Sequence, residues 1–142
     1  MARKKPARGK KYFTPDEANA ALPLVRAIVR DIAALAPALF ERRQWLERHE
    51  PGSDDPYSEE LQQLRAEYER DYDRMMEYVE ELAGLGVQVK DPLTGLVDFP
   101  CWLGNREVYL CWRLGEDEVG HWHEVDAGFA GRQKLKVTSS TT

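Results

Sequence analysis

From Ala18 to Leu46 apolar side chains return every third or fourth residue. Ala18, Leu22, Val25, Val29, Ile32, Ala36, Leu39 and Leu46 form one stripe, interrupted at Arg43, and Ala21, Leu24, Ile28 and Leu35 form a second beside it. A stripe held in phase over so many turns predicts an α-helix, and an arc this wide calls for two packing neighbours. The start is marked as well. Thr14 is a suitable N-cap, Pro15 takes the first helical position, and Glu17 follows three residues after Thr14. That capping box contributes about 1 kcal/mol. Pro23 and Pro37 fall inside the pattern. Each removes an intrahelical hydrogen bond and bends the helix. Their separation is close to four turns, so both bends lean the same way. The stripe keeps its phase through both, which predicts a curved helix rather than a broken one.

His49-Glu50-Pro51-Gly52-Ser53-Asp54-Asp55 reads as a loop. A second helix then opens with Asp55 as cap and Pro56 at its first position. Its apolar face is Leu61, Leu64, Tyr68, Tyr72, Met75, Val79 and Leu82, and Gly84 and Gly86 end it. Two long helices and a short loop predict an antiparallel hairpin about 40–50 Å long. Beyond it, Val87–Lys90, Leu96–Phe99, Glu107–Leu114 and Val119–Glu124 are β-rich runs. Asp91-Pro92-Leu93-Thr94-Gly95, Gly104-Asn105 and Gly115–Glu118 are the turns between them. A meander of three or four strands follows, and so small a sheet needs the first helix against its apolar face.

Charge is distributed unevenly. Arg3, Lys4, Lys5, Arg8, Lys10 and Lys11 precede the first acid, Asp16, so the rest of the chain is more acidic than the net charge of −5 suggests. An acidic body repels phosphates, which leaves the basic tail as the only expected contact with nucleic acid. No apolar run approaches the ~20 residues of a membrane span. The basic start is followed by no apolar stretch of a secretory signal. Cys101 and Cys111, ten apart, read as reduced thiols of a cytoplasmic protein. The second helix carries Glu67, Glu69, Asp71, Asp73, Glu77, Glu80 and Glu81 on one face. A di-iron bundle would need inward Glu-x-x-His pairs, and neither helix has one, so this is read as a solvated face.

The side chains with most chemical potential crowd into Cys101–His123, which holds both cysteines, three tryptophans and two histidines. On a strand, His121 and His123 point to one face about 6.6–6.8 Å apart. Imidazoles so placed can share a divalent transition metal such as zinc. The cupin metal motif opens similarly, but its next carboxylate would fall at Ala127 or Gly128. The hairpin register decides what joins the histidines. If Leu114 pairs with Val119, Trp112 opposes His121, Leu110 opposes His123, and Cys111 lies on the other face beside Trp122. A one-residue bulge would set Cys111 opposite His123. Asp98, between Val97 and Phe99, would hold the His123 ring or pair with Arg132. Glu116 and Asp126 are further polar candidates. Gly128-Phe129-Ala130-Gly131-Arg132 is glycine-rich, but no helix follows it, so it is not a phosphate loop.

These phrases together resemble a bacterial family, domain of unknown function 2203. The resemblance is carried by Phe13-Thr14 with Ala18-Asn19 and Leu22-Pro23, then Gly95-Leu96-Val97-Asp98-Phe99-Pro100. It continues through Leu110-Cys111-Trp112 with Gly115-Glu116, Trp122-His123, Gly128-Phe129 and Gly131-Arg132. It runs from about Tyr12 to Gln133 and implies a small bacterial cytoplasmic protein. His123 belongs to the family's Trp-His phrase, whereas His121 lies where that pattern is loose. Attention therefore falls on Asp98, Cys111, Glu116, His123 and Arg132.

The expected fold is α+β: a long antiparallel helical hairpin followed by a small antiparallel β-meander packed on the helices. Residues 1–11 are expected as a basic tail, 12–86 as the hairpin, 87–135 as the meander, and 136–142 as a second tail. The helices outrun what the sheet can cover, which predicts a homodimer through them, and the acidic helices or the sheet's aromatic surface offer a place for a protein partner. Two functions are expected in turn. One is a structural or interaction module without catalysis or cofactor. The other is a metal-binding or small-molecule-binding enzyme on the sheet around His123, with His121 and His123 as metal ligands. They differ on whether Asp98, Glu116 and His123 converge on a cleft.

Overall fold

The computed structural model describes residues 6–49 and 58–135, with only the backbone described at Ser58. The loop after His49, the Asp55–Pro56 helix start, the first five residues and the 136–142 tail lie outside the described residues. Helix α1 runs over Pro15–Arg48, 34 residues without a break at Pro23 or Pro37. Its capping box is complete: Thr14 Oγ1 accepts from the Glu17 N–H at 3.1 Å, and the Glu17 carboxylate accepts from the Thr14 N–H at 2.9 Å. Helix α2, Ser58–Gly84, returns antiparallel to it. Arg42 meets Asp71 at 2.8 Å, Ala36 lies opposite Met75, and Leu46 lies opposite Arg65.

Five strands follow: β1 Gln88–Asp91, β2 Leu96–Leu103, β3 Arg106–Arg113, β4 His121–Glu124 and β5 Gln133–Lys134. They form one antiparallel sheet in chain order. Alternation sends Val97, Phe99 and Cys101 of β2 and Val108, Leu110 and Trp112 of β3 to one side. There they join Leu22, Val25, Val29 and Ile32 of α1 and Leu82 of α2 in a single core. Gly95 shows how closely the sheet meets α1. Its φ is +71°, and a Cβ there would lie 2.7 Å from Leu114 Cβ and 2.9 Å from Val29 Cγ1, so only glycine fits.

The structure adds a fifth strand to the three or four expected. Gln133–Lys134 is too short to show a strand pattern, and it exists because it pairs with β4, His121 with Lys134 and Trp122 with Gln133. Strand β2 also runs through Pro100 to Leu103, past the expected end at Phe99. Proline is tolerated there because the last β1 partner of β2 is Gln88, at Asp98. Beyond that point the edge lacks a strand, and the Phe13 N–H bonds the Pro100 carbonyl at 2.7 Å.

The β3–β4 register differs from both alternatives. Cys111 opposes His121, Leu110 opposes Trp122, and Tyr109 opposes His123. Leu114 does not pair with Val119. Its N–H bonds Gly95 O at 3.0 Å instead. Val119 is held by α1: its N–H donates to Asn19 Oδ1 at 2.7 Å, and its carbonyl accepts from Asn19 Nδ2 at 3.2 Å. The turn itself is tied by Glu116, which accepts the Arg113 N–H at 2.8 Å and, through its carbonyl, Trp112 Nε1 at 3.0 Å. The resulting slip of one residue moves Cys111 onto the histidine face, not beside Trp122.

Candidate functional site

The sheet face turned away from the helical core carries Asp98, Pro100, Tyr109, Cys111, His121 and His123. Asp98 and Cys111 are directly opposite across β2 and β3. Their neighbour His123 lies one pair along on β4 and leans toward Asp98. Asp98 is 1% exposed and His123 3%, the only buried polar or charged side chains among the described residues. Burial of such groups is costly unless they are paired. Here they are: His123 Nε2 lies 3.0 Å from Asp98 Oδ1 and 3.1 Å from Oδ2.

The other ring nitrogen fixes the protons. His123 Nδ1 is 2.7 Å from the backbone carbonyl of Glu124. A carbonyl only accepts, so Nδ1 carries a hydrogen. Nε2 then faces a carboxylate with either its own hydrogen or one supplied by Asp98. One proton is shared between the two side chains in both cases. Burial pushes the Asp98 carboxyl above the ordinary range, while His123, Lys90 and the Cys111 thiol hold it back. Cys111 is pushed up to about 11, first by burial and then by the Asp98 carboxylate. Its thiol is therefore protonated near neutrality and is no free nucleophile. One donor atom each from Asp98, Cys111 and His123 lies within 4.8 Å of the others.

A cleft of about 310 Å³ opens onto the Asp98–His123 pair. Leu96, Tyr109, Val125 and Phe129 wall it, with Lys90 and Asp126 at its mouth. Lys90 reaches this face by alternation from Gln88, which pairs with Asp98, and the bulge after Val89 then sets Asp91 opposite Leu96. Its Nζ sits 5.1 Å above the Tyr109 ring, which in turn lies 5.6 Å from the His123 ring. Gly128 on the cleft wall has φ 68° and ψ −168°, a conformation only glycine adopts readily. It turns the chain so that Phe129 covers the sheet.

Glu116, Arg132 and His121 form a second group on the same face. Arg132 Nη2 donates to Glu116 Oε2 at 2.6 Å, and its guanidinium lies 4.7 Å over the Phe129 ring. His121 Nδ1 is 3.8 Å from the same Glu116 oxygen. Burial, then Arg132, lowers the His121 pKa, and Glu116 opposes the change. His121 Nδ1 and Arg132 Nε are buried without hydrogen-bond partners among the described residues. Asp98 thus takes His123 and leaves Arg132 to Glu116. Glu116 does not line the cleft, and His121 stands outside the Asp98–Cys111–His123 group. Lys90 and Tyr109 were not singled out in the sequence. Tyr109 shares strand parity with Cys111 and Lys90 shares it with Gln88, but which strand neighbours they meet depends on the register.

The family model described as uncharacterized conserved protein DUF2203 matches residues 11–135, and the chain belongs to that family. Neither a curated protein nor a solved structure matches it. No described helix is long and apolar enough to cross a membrane.

Proposed function

We propose that this chain binds a small carboxylate-bearing molecule in the cleft over Asp98 and His123, as a bacterial cytoplasmic protein. The observation that carries the reading is the buried Asp98–His123 pair at the floor of that cleft. Replacing a buried polar pair by apolar residues is often neutral or stabilising, so stability alone is a poor reason for it to stand there. A concave site with few polar groups among apolar walls is the usual form of a small-molecule site. The ligand class follows from Lys90, the one lysine or arginine of the lining. It makes no ion pair with another side chain among the described residues. Thermal-shift measurements with a panel of small carboxylates and the matching neutral amides test this. A carboxylate raises Tm, its amide does not, and Lys90→Met removes the difference. Equal responses to acid and amide, or a carboxylate response untouched in K90M, overturn the reading.

A second observation favours self-association through the hairpin. Phe40, Trp45, Leu64 and Tyr72 are exposed by 50%, 38%, 40% and 39%. Phe40 and Tyr72 line an apolar groove of about 210 Å³ with Leu39, Tyr68, Met75 and Leu93. Contiguous exposed apolar surface marks interaction sites, and a second copy brings the same surface to it in a two-fold dimer. Light scattering on the eluting protein gives twice the 16.3 kDa chain mass if this holds. A monomer at high micromolar concentration sinks it.

A further inference from the structure

We propose that Asp98, Cys111 and His123 form a three-ligand site for a divalent transition metal of the zinc class. The ligand atoms are an Asp98 carboxylate oxygen, the Cys111 sulfur and His123 Nε2, and the fourth position faces the cleft. This goes beyond the carboxylate reading and does not depend on it.

The first support is the orientation of His123. Its Nδ1–H donates to the Glu124 carbonyl at 2.7 Å, which leaves Nε2 as the atom turned toward Asp98. In metal sites a ligating histidine almost always donates its other N–H to a carboxylate, carbonyl or water, which fixes the ring and raises its basicity. The arrangement on the page has that form. A neutral ring would aim the Nε2 lone pair at carboxylate lone pairs, which requires a cation or a proton between them.

The second support is the donor set. A tetrahedral ion with about 2.0 Å to nitrogen, 2.0–2.2 Å to oxygen and 2.3 Å to sulfur places its ligands roughly 3.3–3.6 Å apart. His123 Nε2 and the Asp98 oxygens are 3.0 and 3.1 Å apart, and all three donors lie within 4.8 Å of one another. Small rotations of buried side chains close that gap. Imidazole, thiolate and carboxylate together suit zinc and its neighbours rather than magnesium or calcium, which take oxygen ligands. Three protein ligands with one open position is the arrangement of catalytic rather than structural zinc.

The third support is accessibility with charge balance. Asp98 and His123 line the cleft, so an ion and its fourth ligand have an entry path. Carboxylate and thiolate together neutralise a divalent ion, so the buried cluster carries no net charge once loaded. The proton balance is explicit. The metal-free site holds one proton on the Cys111 sulfur and one shared between Asp98 and His123 Nε2. Both leave to solvent when the metal–sulfur and metal–nitrogen bonds form, and the Nδ1 proton stays. The metal exchanges for protons, with no electron transfer.

Cobalt(II) loading of the full chain, stripped beforehand with chelator, tests the assignment. The expected result is about one ion per chain with a thiolate-to-cobalt charge-transfer band and the intense visible bands of four-coordinate cobalt. About two protons are released per ion, read with a pH indicator in unbuffered solution, and this arm needs no variant. Cys111→Ser abolishes the charge-transfer band. His123→Gln weakens binding by more than the roughly hundredfold that loss of an outer partner costs. His121→Ala binds within about threefold of the parent, because His121 lies outside the donor group. The site is overturned by absence of the band in the parent, by its persistence in C111S, or by release of no protons. Loss of binding in H121A equal to that in H123Q overturns it in favour of the two-histidine chelate. The carboxylate reading stands or falls separately, on the K90M thermal shift.

Discussion

The far face of the sheet and the distal half of the helical hairpin depart from the ordinary rule of burial in opposite directions. On the sheet, Asp98 and His123 are buried although both are polar. On the hairpin, Phe40, Trp45, Leu64 and Tyr72 are exposed although all are large and apolar or aromatic. Most of the molecule between them is conventional: Val25, Val29, Ile32, Val97, Phe99, Leu110 and Trp112 fill one core. Buried polar groups and exposed apolar clusters are the two deviations that carry information about function. Their separation assigns different work to each region. On the proposed reading the sheet face holds something small and polar, and the hairpin end meets a second copy.

The largest expected effect breaks the sheet side of this contrast. Asp98→Ala leaves His123 Nε2 buried and unpartnered, and stranding a buried polar group costs about 1–3 kcal/mol, to which the cavity left by the carboxylate adds. The double variant Asp98→Leu with His123→Met removes both members. It recovers to within about 1 kcal/mol of the parent or exceeds it, because no polar group is left without a partner. Urea denaturation of the two variants measures the difference. If the double variant is as damaged as the single one, the pair is architecture, and the contrast with the hairpin loses its meaning.

A smaller effect tests the hairpin side. Phe40→Ser with Trp45→Ser removes exposed rings that pack little in one chain, so intrachain stability falls by less than about 1 kcal/mol, chiefly from lost ring–helix contacts. Trp45 stacks on His49 at 4.2 Å, which is the main contact sacrificed. If the chain dimerises through the hairpin as proposed, the dissociation constant rises by more than about tenfold, or 1.4 kcal/mol. Sedimentation equilibrium reads the second number and thermal melting the first. A variant that melts far below the parent while staying dimeric places these rings in the fold instead.

The helical half of the fold was legible because its information is local. Thr14, Pro15 and Glu17 cap a helix by their own spacing, and the stripe from Ala18 to Leu46 needs no distant residue to be read. The sheet was legible in outline, since the turn residues punctuate it. The site was legible only in its membership. Asp98, Cys111, Glu116, His123 and Arg132 were all singled out, and all lie on or beside one face. Which of them meet was not, because a single residue of register decides it, and that register is set by Asn19 clasping Val119 from 100 positions away. Strand β5 and the β1 bulge that sets Asp91 opposite Leu96 are likewise products of pairing, not of local pattern.

The finest test concerns pH and separates the sheet pair from the surface carboxylates. Burial raises Asp98 above its ordinary value of 3.8 despite His123, so the folded state favours the protonated acid more than the unfolded chain does. A group raised in the fold binds more protons folded than unfolded, and its contribution falls as pH rises. The contribution of Asp98 is therefore fully present below 3.8 and is lost as pH climbs through its folded value. Glu107 has the opposite sign. Burial works against its ionisation, but hydrogen bonds from Lys10 and Tyr12 outweigh it and hold the carboxyl low, so its contribution is lost as pH falls. The two trends overlap in whole-protein data, and Asp98→Asn separates them. The amide donates to His123 Nε2 while the ring keeps its Nδ1–H bond to Glu124, so no group is stranded. Across the acid range above pH 3.8, the parent loses stability relative to D98N with rising pH. The opposite trend would mean that a buried imidazolium–carboxylate ion pair outweighs desolvation. His123 would then be charged in the folded protein, and metal entry would have to break an ion pair rather than displace a proton from a neutral acid.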